Sequence, residues 1–185
     1  MSSSSSDVSV APDSTPFWQF SGSVYARRGV AEACLALQER HRLDVNLLLF
    51  CAWAGSRGRR LDGGYLGLLR SVARPWHDQV VAPLRAARRW LKQQTSVPED
   101  LGEAFREEVK SLELQAEMLE QLMLYQEIEV AAGEGTPEDV AANLLLYLTR
   151  MKPRPTDDDI ADLSAILCGA CPNVTPVHAI RILED

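Results

Sequence analysis

Cys168-Gly169-Ala170-Cys171 has the two-residue gap of a zinc half-site or a redox dithiol. A structural zinc needs four ligands, and His178 is the one nearby candidate for a third. A redox pair opens a helix after a strand, whereas this pair closes a helical pattern, so two small residues packed at a helix end are expected. Asp157-Asp158-Asp159 with Asp162 has the composition of a cluster that grips a diphosphate through magnesium. Its facing cluster would have to come from Glu99, Asp100 and Glu103. The three acids also follow Thr156, where the first turn of a helix favours negative charge without any ligand. His41 and His77 have no Ser, Cys or carboxylate at the spacing of a nucleophile–base pair, and each is expected at the edge of a core. Gly63-Gly64 lacks the Lys and Ser/Thr of a phosphate loop. The sequence therefore assigns no catalytic residue, no metal ligand set and no cofactor.

Charge is segregated along the chain. Residues 57–94 carry nine basic and two acidic side chains, and residues 95–139 carry two basic and thirteen acidic ones. Arg85, Arg88, Arg89 and Lys92 fall on one face of a helix, at i, i+3, i+4 and i+7. Glu103, Glu107, Glu113, Glu117 and Glu120 are expected along the polar side of the next helix. Two solvated faces attracting one another is the plain expectation, with each exposed pair contributing about 0–1 kcal/mol. The sharper expectation makes one face a docking surface for an oppositely charged protein partner, where charge selects the partner and speeds its arrival. A nucleic-acid reading would stack bases on Trp76 and Trp90, but the neighbouring acids should repel a polyanion. Trp18, Trp53 and Trp76 could line a pocket for a small molecule or lipid.

The elements that must position these residues are helices. Leu43–Gly55, LDVNLLLFCAWAG, is the most apolar run in the chain. Asp44 stands where an N-cap carboxylate accepts from first-turn amides, and Gly55 stands at the far end. A helix apolar all round must be enclosed, so this segment is expected at the centre of the fold. It is shorter than the roughly 20 residues that a membrane span requires. Ahead of it, residues 1–15 are Ser-rich and expected to be a disordered tail. Thr15-Pro16 opens a short aromatic helix, and Val30–Arg42 is amphipathic.

Beyond the central run, a helix from Tyr65 is interrupted at Pro75 and resumed from Trp76, with Pro83 kinking or restarting it. Pro98–Ala132 is the longest helix, its apolar stripe (Phe105, Val109, Leu112, Ala116, Leu119, Met123) broad enough for two neighbours. A three-residue turn then leads into Pro137–Met151, expected as its antiparallel partner. Thr136-Pro137 and Thr156 are strong helix starts, and Thr175-Pro176 begins a last short helix.

FWQFSGSVYARRGVAEACLALQERHRLDVNLLLFCAWAG (Phe17–Gly55), continued by PWHDQVVAPLRAARRWLK (Pro75–Lys92), resembles a family of short bacterial proteins classed as a domain of unknown function. The likeness covers about the first two thirds of the chain and is most specific in Phe17–Gly55. It implies a helical cytoplasmic protein and brings no assigned catalytic residues. The family pattern has a proline after the first arginine, where Arg28 stands here, so the break between the first two helices is less sharply specified.

At 185 residues, with 46% hydrophobic content, the chain can bury a real core. Four scattered cysteines suit reduced thiols and a cytoplasmic address, and no signal-peptide pattern is expected at the start. The expected architecture is all-α, an irregular bundle of six to eight helices over residues 16–152, with a C-terminal helical appendage, 153–185, docked on it. The expected function is a non-enzymatic interaction module, an adaptor or regulator using a charged helix face. Small-molecule or lipid binding, and nucleic-acid binding through the basic face, are the alternatives.

Overall fold

The computed structural model describes residues 11–185; residues 1–10, most of the stretch read as a tail, lie outside it. All regular structure among the described residues is helical. Pro12–Ser14 form a 3-10 turn. Thr15 is fully buried and its hydroxyl accepts the Trp18 N–H, so ordered chain begins before Pro16. Eight helices follow, one of them a continuous run of three segments. They are α1 (Pro16–Tyr25), α2 (Val30–His41), α3 (Val45–Ser56), α4 (Gly63–Trp76, a π turn His77–Val81, and Ala82–Leu91), α5 (Glu99–Glu127), α6 (Pro137–Met151), α7 (Asp157–Ala170) and α8 (Pro176–Glu184).

Helix α3 is the centre. Asp44 Oδ1 accepts the backbone N–H groups of Asn46 and Leu47 at 2.9 and 3.4 Å, which fixes where the helix starts. Every residue from Asn46 to Gly55 is buried, because α1, α5, α6 and α7 all pack on α3. Phe50 and Trp53 meet Phe17 of α1 with ring centroids 5.0 and 5.4 Å apart, and Trp53 meets Tyr125 of α5 at 5.6 Å. Gly55 does not terminate the helix, which continues to Ser56. Its lack of a side chain serves packing instead: a Cβ there would lie 2.5 Å from Val140 Cα of α6. The left-handed conformation falls to Gly58, with φ 77°.

Two expectations about neighbours are corrected. Helix α5 ends at Glu127, short of Ala132, where Ile128 turns to an extended conformation and buries its side chain. The connection to α6 is then not a tight turn but 128–136, which crosses the end of α3 as the Gly135 N–H donates to the Ser56 carbonyl at 2.9 Å. That route carries α6 onto α3, its principal neighbour, and not onto α5. In α4, neither proline breaks the rod. Pro83 would drive its ring into the carbonyl one α-turn earlier. The π turn widens that register, and the Ala82 N–H bonds to the His77 carbonyl five residues back.

Helices α7 and α8 pack on α2, α3 and α6, and Leu163, Ile166, Leu167, Ala179 and Leu183 join the same core as α3. The second arm of α4 (Ala82–Leu91) and the first half of α5 form an antiparallel hairpin outside that core. The buried side chains of Val81, Val109 and Ala116 do not belong to that core.

Candidate functional site

The π turn places His77 where α3, α4 and α5 meet. Asp44 reaches it from the start of α3 and Glu120 from α5. His77 Nδ1 lies 3.7 Å from Asp44 Oδ2 and 3.8 Å from Glu120 Oε1, and the donor atoms of all three residues fall within 4.8 Å of one another. These separations are too long for hydrogen bonds. Both His77 Nδ1 and Glu120 Oε1 are buried without a partner, although Glu120 is 0% exposed.

The other oxygen of each carboxylate is fixed. Asp44 Oδ1 caps α3, and the Asp44 backbone N–H donates to the Tyr147 hydroxyl at 2.9 Å. Glu120 Oε2 accepts Asn46 Nδ2 at 2.8 Å, Asn46 Oδ1 accepts Gln121 Nε2 at 2.9 Å, and Gln121 Oε1 accepts the Ser21 hydroxyl at 2.7 Å. A buried polar chain therefore runs from α1 through α5 and α3 and ends on the unpartnered Glu120 Oε1. Burial and the charge of Glu120 push the Asp44 carboxyl well above the usual carboxylate range. Glu120 and Asp44 beside the ring raise His77. On its open side the cluster faces a cleft of about 280 Å³ whose walls include Arg42, Arg70, Arg74 and Tyr147.

In the hairpin the basic and acidic faces meet each other. The Arg85 guanidinium donates to Glu113 Oε1 at 2.9 Å, to Glu117, and to Gln38 Oε1 of α2 at 2.7 Å. Arg88 Nε donates to Glu113 Oε2 at 2.5 Å. Burial works against the Glu113 charge, but Arg88 and Arg85 outweigh it and hold the carboxyl below its ordinary range. Arg89 and Lys92 remain exposed, and Glu103 and Glu107 pair along their own helix with Arg106 and Lys110. Glu120 does not lie on the polar side of α5. It falls on the inward stripe with Val109, Ala116 and Leu124.

The family model described as "Protein of unknown function (DUF2390)" matches residues 16–124. The chain belongs to this family. No curated protein and no solved structure matches it. Asp44, His77 and Glu120 all lie inside the DUF2390 segment, as do Asn46, Gln121 and Ser21. No helix among the described residues is long and apolar enough to cross a membrane.

The remaining residues singled out by sequence fall elsewhere. Trp18, Trp53 and Trp76 stand apart from the cleft. Trp53 is filled into the aromatic core, Trp76 donates its indole N–H to the Ala116 carbonyl at 2.9 Å, and neither these two nor Trp18 lines the cleft. Cys168 and Cys171 are free, half-buried thiols at the end of α7, raised by burial, and His178 is exposed. Asp159 completes a capping box with Thr156 and bonds His41 Nε2 at 2.7 Å and Arg40 Nε at 3.0 Å. It faces Arg40 and His41 rather than a second acidic cluster. Sequence reasoning missed the Asp44–His77–Glu120 set because its members are separated by 33 and 43 residues. The available signal was His77 between two prolines, where a helix needs a local irregularity.

Proposed function

We propose that the protein is a cytoplasmic, non-enzymatic interaction module that docks an amphipathic helix of a partner protein along the outer face of α5. One observation carries the reading. Leu101, Phe105, Leu112 and Leu119 are 61, 54, 51 and 39% exposed, and their spacing of four, seven and seven keeps them on one side of the helix. Single exposed apolar residues are ordinary on any surface, but a heptad-spaced row on one helix is the seam that a helical ligand fills. The α5 stripe is wide enough for two neighbours, and the second arm of α4 packs on this helix while these four side chains stay exposed. Docking moves from the charged faces to this row because Arg85, Arg88, Glu113 and Glu117 bond one another. Arg89, Lys92, Glu103 and Glu107 remain as rim charges that select among partners. Free cysteines with no disulfide support the cytoplasmic address.

The test is photo-crosslinking in cells from a benzoylphenylalanine placed at Leu112. One specific protein is expected, lost when Leu101→Asp and Phe105→Asp are combined and absent from a control placement at Leu114, which lies on another side of α5. Equal crosslinking from Leu114, none from Leu112, or a product made only of two copies of this chain would overturn the reading.

A further inference from the structure

We propose that Asp44 Oδ2, His77 Nδ1 and Glu120 Oε1 bind a divalent transition-metal ion of the zinc type, with an open coordination position facing the arginine-lined cleft. This site is separate from the docking stripe and does not depend on it.

The donor geometry is close to what a metal requires. Ligands about 2.0–2.2 Å from a tetrahedral zinc stand roughly 3.3–3.6 Å from one another. His77 Nδ1 is already 3.7 and 3.8 Å from the two carboxylate oxygens, and all three donor atoms lie within 4.8 Å of one another, so side-chain rotations would close the shell. One imidazole nitrogen with two carboxylate oxygens suits zinc and its first-row neighbours. Calcium prefers six to eight oxygens, and magnesium an octahedral shell kept largely hydrated.

The atoms aimed at the centre are the ones left over after all other bonding is done. Asp44 spends Oδ1 on the α3 amides and Glu120 spends Oε2 on Asn46 Nδ2, leaving Oδ2 and Oε1 pointing inward. Glu120 is fully buried with Oε1 unpartnered, as is His77 Nδ1. A buried carboxylate oxygen without a partner is costly and rare in a folded protein, and a second carboxylate beside it raises that cost. A cation between them satisfies all three atoms at once. Asn46, Gln121 and Ser21 then act as the outer shell that orients the Glu120 ligand. Three protein ligands leave a fourth position for water or a small anion, and the cleft beside Asp44 and His77 offers Arg70 and Arg74 as counter-charge for an anion.

The experiment uses the full chain carrying Cys168→Ser and Cys171→Ser, so that the thiol pair cannot bind the probe. Calorimetric titration with Zn2+ alone is expected to show one ion per chain with micromolar or tighter affinity. His77→Gln and Glu120→Gln are each expected to weaken it at least tenfold. Glu120→Gln keeps an acceptor for Asn46 Nδ2 and removes one of two facing negative charges, so its metal-free thermal midpoint should not fall below that of the parent. It decides the matter should His77→Gln fail to fold. No zinc uptake, or uptake unchanged in Glu120→Gln, overturns the site. The Co2+-loaded protein is expected to change its visible absorption when acetate is added, and indifference to acetate overturns the open position.

Discussion

Asp159 is buried at the start of α7, where it accepts the Thr156 amide and bonds His41 and Arg40. Burial alone would raise its pKa, but the Thr156 amide, His41 and Arg40 together hold it far below the ordinary carboxylate range. A depressed carboxylate contributes stability above its unfolded pKa and loses that contribution as pH falls toward its folded one. Arg40 is a third exposed and well screened, so the amide and His41 carry most of the effect. Asp159→Asn should cost about 1–3 kcal/mol at neutral pH. The gap from the parent should narrow below about pH 4, where the unfolded carboxyl takes up its proton. Urea unfolding of both proteins at pH 7 and at acid pH checks this, and a gap that stays constant with pH would contradict it. His41 and Asp159 stand 118 residues apart, which is why neither position suggested the other in the linear chain. The Thr156–Asp159 capping box, by contrast, is three residues long and was legible there.

At the scale of elements, two contacts decide how the helices lie. The α3–α6 crossing depends on Gly55, where an added Cβ would meet Val140 backbone atoms at 2.5 and 2.7 Å. Gly55→Ala should therefore push the two helices apart and cost about 1–3 kcal/mol, the usual penalty for overpacking. Gly22→Ala, with nothing near the new Cβ, should cost no stability and serves as the control in chemical denaturation. The hairpin of α4 and α5 depends on Arg85, largely buried between Glu113 and Glu117. Removing it leaves two carboxylates without their shared partner. Arg85→Ala should destabilise by about 1–3 kcal/mol, less than for a fully buried pair because Glu117 stays partly exposed. Hydrogen exchange should show the loss first in residues 99–116, since that half of α5 lies outside the main core. The charge blocks were visible in the sequence, but their pairing required the antiparallel register that brings residue 85 beside 113.

On the scale of the whole molecule, the family segment ends at residue 124 and the core does not. Helix α6 is the principal neighbour of α3, and α7 and α8 cover α2 and α6. Leu163, Ile166, Leu167 and Leu183 are buried in that core, and each such side chain contributes about 1.5–3 kcal/mol. Their sum is comparable with the whole stability of a domain, about 5–15 kcal/mol. A chain truncated after Met151 should thus lose its sharp thermal transition and bind a hydrophobic dye, measured by calorimetry and fluorescence. A cooperative transition in the truncated chain would show that the last two helices are accessory.

The amino-acid sequence alone determined the helical class, the central position of Leu43–Gly55, the caps at Asp44, Thr136 and Thr156, and the approximate extent of the helices other than α4. All of these rest on interactions within a turn or two, where residue spacing maps directly onto geometry. Tertiary structure alone decided that α6 lies on α3, that Arg85 faces Glu113, and that a capping aspartate, a lone histidine and one glutamate of an acidic helix converge. A chain separated by tens of residues has no fixed spacing in space. Whether a polar side chain on a helix stripe meets solvent or a buried neighbour is set by what the intervening loops bring against it.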